Sequence, residues 1–369
     1  AIRWDVMPAR VVIRPMGDIH VHADFFDQVI SPFGRTTSDR RFNDSAIDYA
    51  LNLQEHKGVP TAEISIMGDF LQAWQQEFGF SIDTLRRYID AVEDLGIRQQ
   101  QFLLTMRRSE FVQLLGAEGS TEEILNLFTL AHRPNWRSVP EGFKPADRQP
   151  WRFRRRLSTL RRPFLQVDDD EDPTLLVAPG LLREGFSYSL QNYYRGDFPD
   201  WQLGAPMLKW CGHSRRARGL DFNAEVAGKL RSLGWKVEPE IKVTKILRQA
   251  LERDYGDIDV FAWDAARNRI LVIECKAVQY RKTAGEIAEQ LSDFRGEIMP
   301  NGKPDLLRKH LERMVVIRRH ADTVCSFTQM PMASRIESHL VFKNPVPMQF
   351  VSSRADSVRI SLFDDLQSL

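Results

Sequence analysis

Gly256-Asp257-Ile258-Asp259-Val260, answered by Ile273-Glu274-Cys275-Lys276, decides how this 369-residue chain folds around its chemistry. Asp257 to Trp263 and Arg269 to Val278 are apolar runs of strand length. Asp264-Ala265-Ala266-Arg267-Asn268 between them reads as a short turn. A hairpin centred between Ala266 and Arg267 sets Asp259 opposite Glu274 and Asp257 opposite Lys276. Side chains alternate with period 2, so Asp257, Asp259, Glu274 and Lys276 share one face, continued by Phe261 and Val272. Ile258, Val260, Ile273 and Cys275 line the other. Both faces are largely apolar, which predicts a strand pair covered on both sides.

Two opposed carboxylates repel each other. Burying them uncompensated is costly, or forces one to take a proton. A hard divalent cation removes the conflict, because Mg²⁺ accepts one or two carboxylates and completes its octahedron with water and phosphate oxygens. Lys276, two residues from Glu274, can then orient or deprotonate an attacking water. Glu-x-Lys alone is common on solvated strands. The opposed Asp259 and the apolar Leu271-Val272-Ile273 run favour the chemical reading over that one.

The flanks supply a frame. Asp221 can cap a helix running to about Leu233, with Gly234 as its C-terminal stop and Phe222, Val226, Leu230 and Leu233 as its buried stripe. Glu225, at the border of that stripe, either leans over the sheet toward a metal or complements the helix dipole. A strand near Trp235 to Val243 follows. Thr283-Ala284-Gly285-Glu286 is a capping box opening a helix to about Phe294, with Ile287, Leu291 and Phe294 inward.

Helix, three strands and helix, with acids at these positions, resemble the PD-(D/E)XK nuclease superfamily over residues ~220–296. The matching pieces are Glu225, Gly256-Asp257-Ile258-Asp259 and Glu274-Cys275-Lys276. The resemblance implies an α/β (α+β) domain with a restriction-endonuclease-like αβββαβ core and a mixed central sheet. It also implies Mg²⁺ or Mn²⁺ dependence and hydrolysis of phosphodiester bonds. Carried over, Asp259, Glu274 and the Cys275 backbone carbonyl are metal ligands, Glu225 and Asp257 accessory acids, and Lys276 the water-positioning residue. Gln290 matches a glutamine of exonuclease-like members, but their tyrosine four residues later is Phe294 here. Gln290 therefore reads as an ordinary helix-surface residue.

The rest of the chain is less specific. Net charge is +1, which excludes a wholly basic nucleic-acid-coating protein without excluding local patches. Cys211, Cys275 and Cys325 suggest neither a disulfide framework nor a zinc site. With no apolar run of membrane length and no signal peptide, the expected location is cytoplasmic. The first residue is not methionine, so flanking segments are expected outside this sequence. Arg152, Arg154, Arg155, Arg156, Arg161 and Arg162 interleave with aromatics and precede the acidic run Asp168 to Asp172. Lys209, His213, Arg215, Arg216 and Arg218 form a second basic cluster. Either can contact phosphates, or pair with neighbouring acids as ordinary surface charge.

Residues 1–205 read as a mainly helical domain that targets, dimerises or docks a partner subunit, and residues 206–369 as the nuclease-like domain. Arg10 to Arg14 and Asp18 to His22 read as short strands. Ser81 to Leu95, Ser109 to Leu115 and Thr121 to His132 read as helices. His20-Val21-His22 resembles the strand-end pair of His-x-His metallohydrolases, but later strands with further ligands are missing from this pattern. The function expected is a metal-dependent endonuclease, acting on DNA in preference to RNA, in restriction of foreign DNA. The alternative is a non-catalytic nucleic-acid-binding subunit on the same scaffold.

Overall fold

The computed structural model describes residues 2–7, 10–15, 24–38, 40, 61–115, 120–135, 137–281, 283–299, 302–351 and 358–369. His20, His22 and His56 lie outside them. Two compact units emerge, Ala1–His56 with Gly219–Leu369, and Lys57–Arg218. The sequence suggests one boundary between Gly204 and Arg218, and the chain divides at 218/219 and also at 56/57. No described helix is long and apolar enough to cross a membrane.

Strands β1 (Ile2–Met7) and β2 (Arg10–Pro15) form an antiparallel hairpin with Met7 opposite Arg10. The Lys57–Arg218 unit then opens with α1 (Thr61–Phe78) and α2 (Ile82–Gln99). Ser81 caps α2, its Oγ accepting the Thr84 N–H at 3.0 Å. Leu85, Tyr88, Ile89 and Val92 recur at helical spacing and are all buried. Next come β3 (Leu104–Arg107), α3 (Arg108–Val112) and α4 (Thr121–Phe128). The periodicity extends to His132, yet Thr129–Leu130 leaves the helix as β4. Pairing with Phe164 and Leu165 outweighs local propensity there. His132 follows that strand and bonds Asp169 at 2.8 Å. Strands β5 (Phe164–Gln166) and β6 (Thr174–Val177) complete a sheet of order β3-β6-β5-β4, and α5 (Pro179–Tyr194) follows.

The arginine run and the acidic run of this unit do not answer each other as neighbours. Asp170 takes Arg107, and Asp172 takes the Ser109 hydroxyl. Arg156 instead chelates Asp147, which has no exposed surface, through Nη2 at 2.7 Å and Nε at 3.0 Å.

Helix α6 (Ala205–Ser232) does not begin at Asp221 but runs unbroken from Ala205. No proline interrupts it after Pro206 in its first turn, and glycines at 212, 219 and 228 each cost only about 1 kcal/mol. The stop at Gly234, with φ +90°, is where the sequence puts it. Then follow β7 (Lys236–Lys242), α7 (Val243–Leu247), β8 (Asp257–Asp264), β9 (Arg269–Lys276), α8 (Ala284–Ser292), α9 (Leu306–Arg319), α10 (Ala321–Thr328), β10 (Arg335–Phe342) and β11 (Arg359–Leu362). The sheet order is β11-β10-β9-β8-β7. β7, β8 and β9 are antiparallel, and β10 returns parallel to β9. This is an α+β architecture with the expected α-β-β-β-α-β order, interrupted by α7 and extended by α9, α10 and β11.

The β8/β9 register matches the sequence-derived hairpin, with Phe261 opposite Val272 and Asp264 opposite Arg269. Val260, Ala262, Leu271, Ile273 and Cys275 pack on Phe222, Val226 and Leu230 of α6. Phe261, Ile270 and Val272 pack instead on Met314 and Ile317 of α9. Each fully buried aliphatic or phenyl side chain contributes roughly 1.5–3 kcal/mol, so both coverings are needed. Ile258 departs from the expected face, joining Ile241 and Val243 where β8/β9 pairing has ended.

Asp147→Ala should lower the stability of the Lys57–Arg218 unit by about 3–5 kcal/mol, because it strands a half-buried guanidinium. Chemical denaturation checks this, and a loss below about 1 kcal/mol would mean that Arg156 finds water instead.

Candidate functional site

The β8/β9 ladder ends at the Val260/Ile273 pair, and the acids lie just past it. Beyond that pair the Cys275 N–H donates to the Asp259 carboxylate, at 2.8 Å from Oδ2. Gly256 turns the chain into β8 at φ +74°, a conformation that only glycine adopts freely, with its N–H on Asp254 Oδ1. A Cβ there would also stand 3.4 Å from Arg313 Nη2. Asp257 is exposed and pairs in register with Lys242 of β7, not with Lys276. On β7, Glu240 sits between the paired Pro239 and Ile241 with φ +50°. Its side chain accepts from Asn223 Nδ2.

Glu274 is held from two sides. Lys276 Nζ donates to Oε1 at 2.6 Å, and Arg313 Nη1, arriving from α9, donates to Oε2 at 2.5 Å. Arg313 is itself fixed by the Tyr255 carbonyl at 3.1 Å. His310, fully buried one turn before Arg313, pairs through Nε2 with Ser338 Oγ at 2.8 Å. Its Nδ1 lies 3.9 Å from Glu274 Oε2.

The two acids are pushed in opposite directions. Burial, then the charge of Glu274, raises Asp259 to about 6. Lys276 and the Cys275 N–H oppose that rise, and Glu240 adds to it. Burial also works against ionised Glu274, but Lys276 and Arg313 outweigh it and bring the carboxyl down to about 2. Lys276 is desolvated too, yet Glu274 and Asp259 hold its proton more tightly than usual. Burial drops His310 to about 4, so it is neutral near pH 7.

The donor set suits a hard cation. Asp259 carries a charge conflict with Glu274 that such an ion would relieve, and Mg²⁺ or Mn²⁺ needs few protein ligands. Among the described residues no three His, Cys, Asp or Glu side chains gather into a ligand cage, so a zinc-type site does not fit.

Glu225 contacts neither acid. It is exposed and bonds Lys343 Nζ at 2.8 and 2.9 Å. The Lys343 N–H in turn donates to the Lys276 carbonyl at 3.2 Å. Gln290 is not a surface residue but only 1 % exposed, on the same face of α8 as Glu286 and Ile287. Its amide oxygen and nitrogen have no partner among the described residues, an arrangement buried amides rarely keep. Arg154 bonds Asn192, Arg155 the Pro150 and Arg152 carbonyls, and Arg156 the buried Asp147. Arg215 pairs with Asp200 at 2.5 Å and Arg218 with Asp197 at 3.2 Å. Arg216 is exposed and forms no ion pair among the described residues.

Glu240, His310, Arg313 and Lys343 escape the sequence pattern. Pro239 inside a strand is a signal for the irregularity that presents Glu240. His310 and Arg313 interrupt the apolar Leu307, Met314, Ile317 stripe of α9, which marks them as residues with buried partners.

Asp259 sets one pH dependence of the metal-free protein. Its folded pKa lies above the unfolded value, so it costs stability once ionised, a loss that grows as pH rises from about 4 to about 6. Glu274, shifted down, contributes stability that is lost only as pH falls below about 4.5. Asp259→Asn should therefore raise Tm at pH 7 relative to pH 5, compared with wild type, in EDTA. Parallel Tm profiles for the two proteins would exclude a perturbed Asp259.

No curated protein and no solved structure matches this chain. The family model described as "Anti-phage protein Upx-like" matches residues 1–366, nearly the whole length. The chain, with its paired acids and Lys276 at the open end of a mixed sheet, belongs to the Upx-like family of anti-phage proteins.

Proposed function

We propose that this chain is a Mg²⁺- or Mn²⁺-dependent nuclease that cuts DNA, in preference to RNA, in defence against phage. One observation carries the reading: Asp259, Glu274 and Lys276 converge beyond the last β8/β9 pair, and the charges of the two acids are in conflict. The anti-phage family supplies the setting and the resemblance to PD-(D/E)XK nucleases supplies the reaction class.

Asp259 and Glu274 would hold the metal, with the Cys275 carbonyl beside them. The bound ion would supply Lewis-acid charge and a more acidic water. Lys276, kept protonated by the two acids, is suited to orient water or a phosphate oxygen rather than to act as a base. Arg313 holds Glu274 in place and offsets its burial. Lys343, tethered to Glu225, brings a further cation to the end of β9.

A second reading has one observation in its favour. Both oxygens of Glu274 are already taken, by Lys276 and Arg313, as they would be in a non-catalytic nucleic-acid-binding subunit. Incubating the protein with supercoiled and linear DNA, single strands and RNA, in Mg²⁺, Mn²⁺ or EDTA, separates the two. Binding without metal-dependent cutting of any substrate would favour the subunit.

Asp259→Ala and Glu274→Ala should abolish cutting, and wild-type rates in either folded variant would remove the assignment. Lys276→Ala should keep metal affinity, read by calorimetry, while single-turnover cleavage falls about 10²- to 10⁴-fold. Among the basic residues, Arg216→Ala should lower the slope of log binding against log salt by about one unit. Arg215→Ala should change it less, since Asp200 already engages that side chain. Equal slopes for wild type and Arg216→Ala would make Arg216 an ordinary surface charge.

A further inference from the structure

Within the Lys57–Arg218 unit, a cavity of about 110 Å³ is lined in part by Trp74, Arg156, Arg161, Arg162, Ser189 and Tyr193. Three guanidiniums meet there with one bonded carboxylate among the described residues, Asp147 on Arg156. Arg161 is 7 % exposed, and among the described residues its guanidinium bonds neutral groups, Gln202 Oε1 at 3.1 Å and the Tyr193 hydroxyl at 3.0 Å. Its guanidinium lies 3.7 Å from the centre of the Phe198 ring. Arg162 donates to two backbone carbonyls, those of Asn126 at 3.0 Å and Thr129 at 2.8 Å. The crowding registers on Arg162, which burial and then Arg161 and Arg156 bring down to about 10.

Trp74, on the same cavity wall, adds an independent observation. It is fully buried, and its indole N–H has no acceptor among the described residues. Buried donors are nearly always paired, and buried guanidiniums are normally neutralised by carboxylate or phosphate. Here the shortfall is of acceptors and negative charge together. An anion with several oxygens would supply both. At about 30 Å³ per water, the cavity has room for a few waters, which is the size range of one phosphoryl group.

We propose that this cavity binds a phosphoryl group, with Arg161, Arg162 and the Trp74 indole as donors and Arg156 at its margin. The group is either the phosphate of a free mononucleotide or the 5′-phosphate of a nucleic-acid end. The residues that line the cavity all belong to the Lys57–Arg218 unit, whereas Asp259 and Glu274 belong to the other.

Calorimetric titration of the full chain with inorganic phosphate, AMP and a 5′-phosphorylated oligonucleotide tests this, with the 5′-hydroxyl oligonucleotide as control. Inorganic phosphate and at least one organic phosphate should bind. Arg162→Gln should weaken that binding at least about tenfold, the loss of a charge-assisted bond. Trp74→Phe keeps the aromatic packing, removes the donor, and should cost about threefold or more. It carries the test alone if Arg162→Gln does not fold. Tighter AMP binding assigns the free nucleotide, and tighter binding of the phosphorylated strand over its hydroxyl control assigns the strand end. No binding of any phosphate probe, or undiminished binding in Trp74→Phe, overturns the proposal. Titration in EDTA throughout keeps this outcome separate from the fate of the nuclease reading, whose residues need a metal ion.

Discussion

The carboxylate of Glu274 is the constraint around which the Gly219–Leu369 part of the chain is arranged. It is largely buried, and a buried acid ionises only where cations or donors meet it. One cation, Lys276, comes from its own strand, and the other, Arg313, from a helix that the chain reaches only after α8. The parallel return of β10 then seats Ser338 against His310, which keeps the neighbouring position on α9 filled and uncharged. Moving α9 by one turn would remove Arg313 from Glu274 and the Met314 and Ile317 packing from Phe261 and Val272 together.

Asp259 and Glu274 show how environment divides two similar acids. Glu274 has two cations in direct contact, whereas Asp259 has one backbone N–H and two acidic neighbours, Glu274 and Glu240. Divergence of this kind is frequent where a site is built to take a cation or a proton, although structural ion-pair networks also produce it. The end of the ladder matters here. A continued β8/β9 pairing would give the Cys275 N–H a backbone partner in place of the Asp259 carboxylate. Because pairing stops at Val260, the carboxylate is drawn in and held beside Glu274.

What the sequence made legible was local. Alternation and a short turn suffice for the register of β8 and β9, and a capping box for the start of α8, since both depend on residues close in the chain. Arg313 was not legible, because it reaches Glu274 across 39 residues by way of a helix whose stripe looks merely apolar with polar interruptions. The start of α6 was misplaced for a related reason. Asp221 is a good cap only where a helix begins, and nothing in the preceding residues ends one. At Thr129 the strand partner lies 35 residues away in Phe164, so helical periodicity overran the true end of α4.

Basic composition is the least transferable of the sequence signals, for a physical reason. A guanidinium is available to a nucleic-acid phosphate only if its donors are not already placed. Arg154 and Arg156 place theirs on Asn192 and Asp147, while Arg215 and Arg218 place theirs on Asp200 and Asp197. A pair with an exposed carboxylate is weak and can be exchanged for phosphate, as at Asp200, whereas one with a carboxylate as buried as Asp147 cannot be given up without stranding a charge. The partner therefore decides which arginines of a basic run stay mobile in function. By that criterion Arg215 and Arg216 can join a phosphate surface, and Arg156 belongs to the interior of its unit.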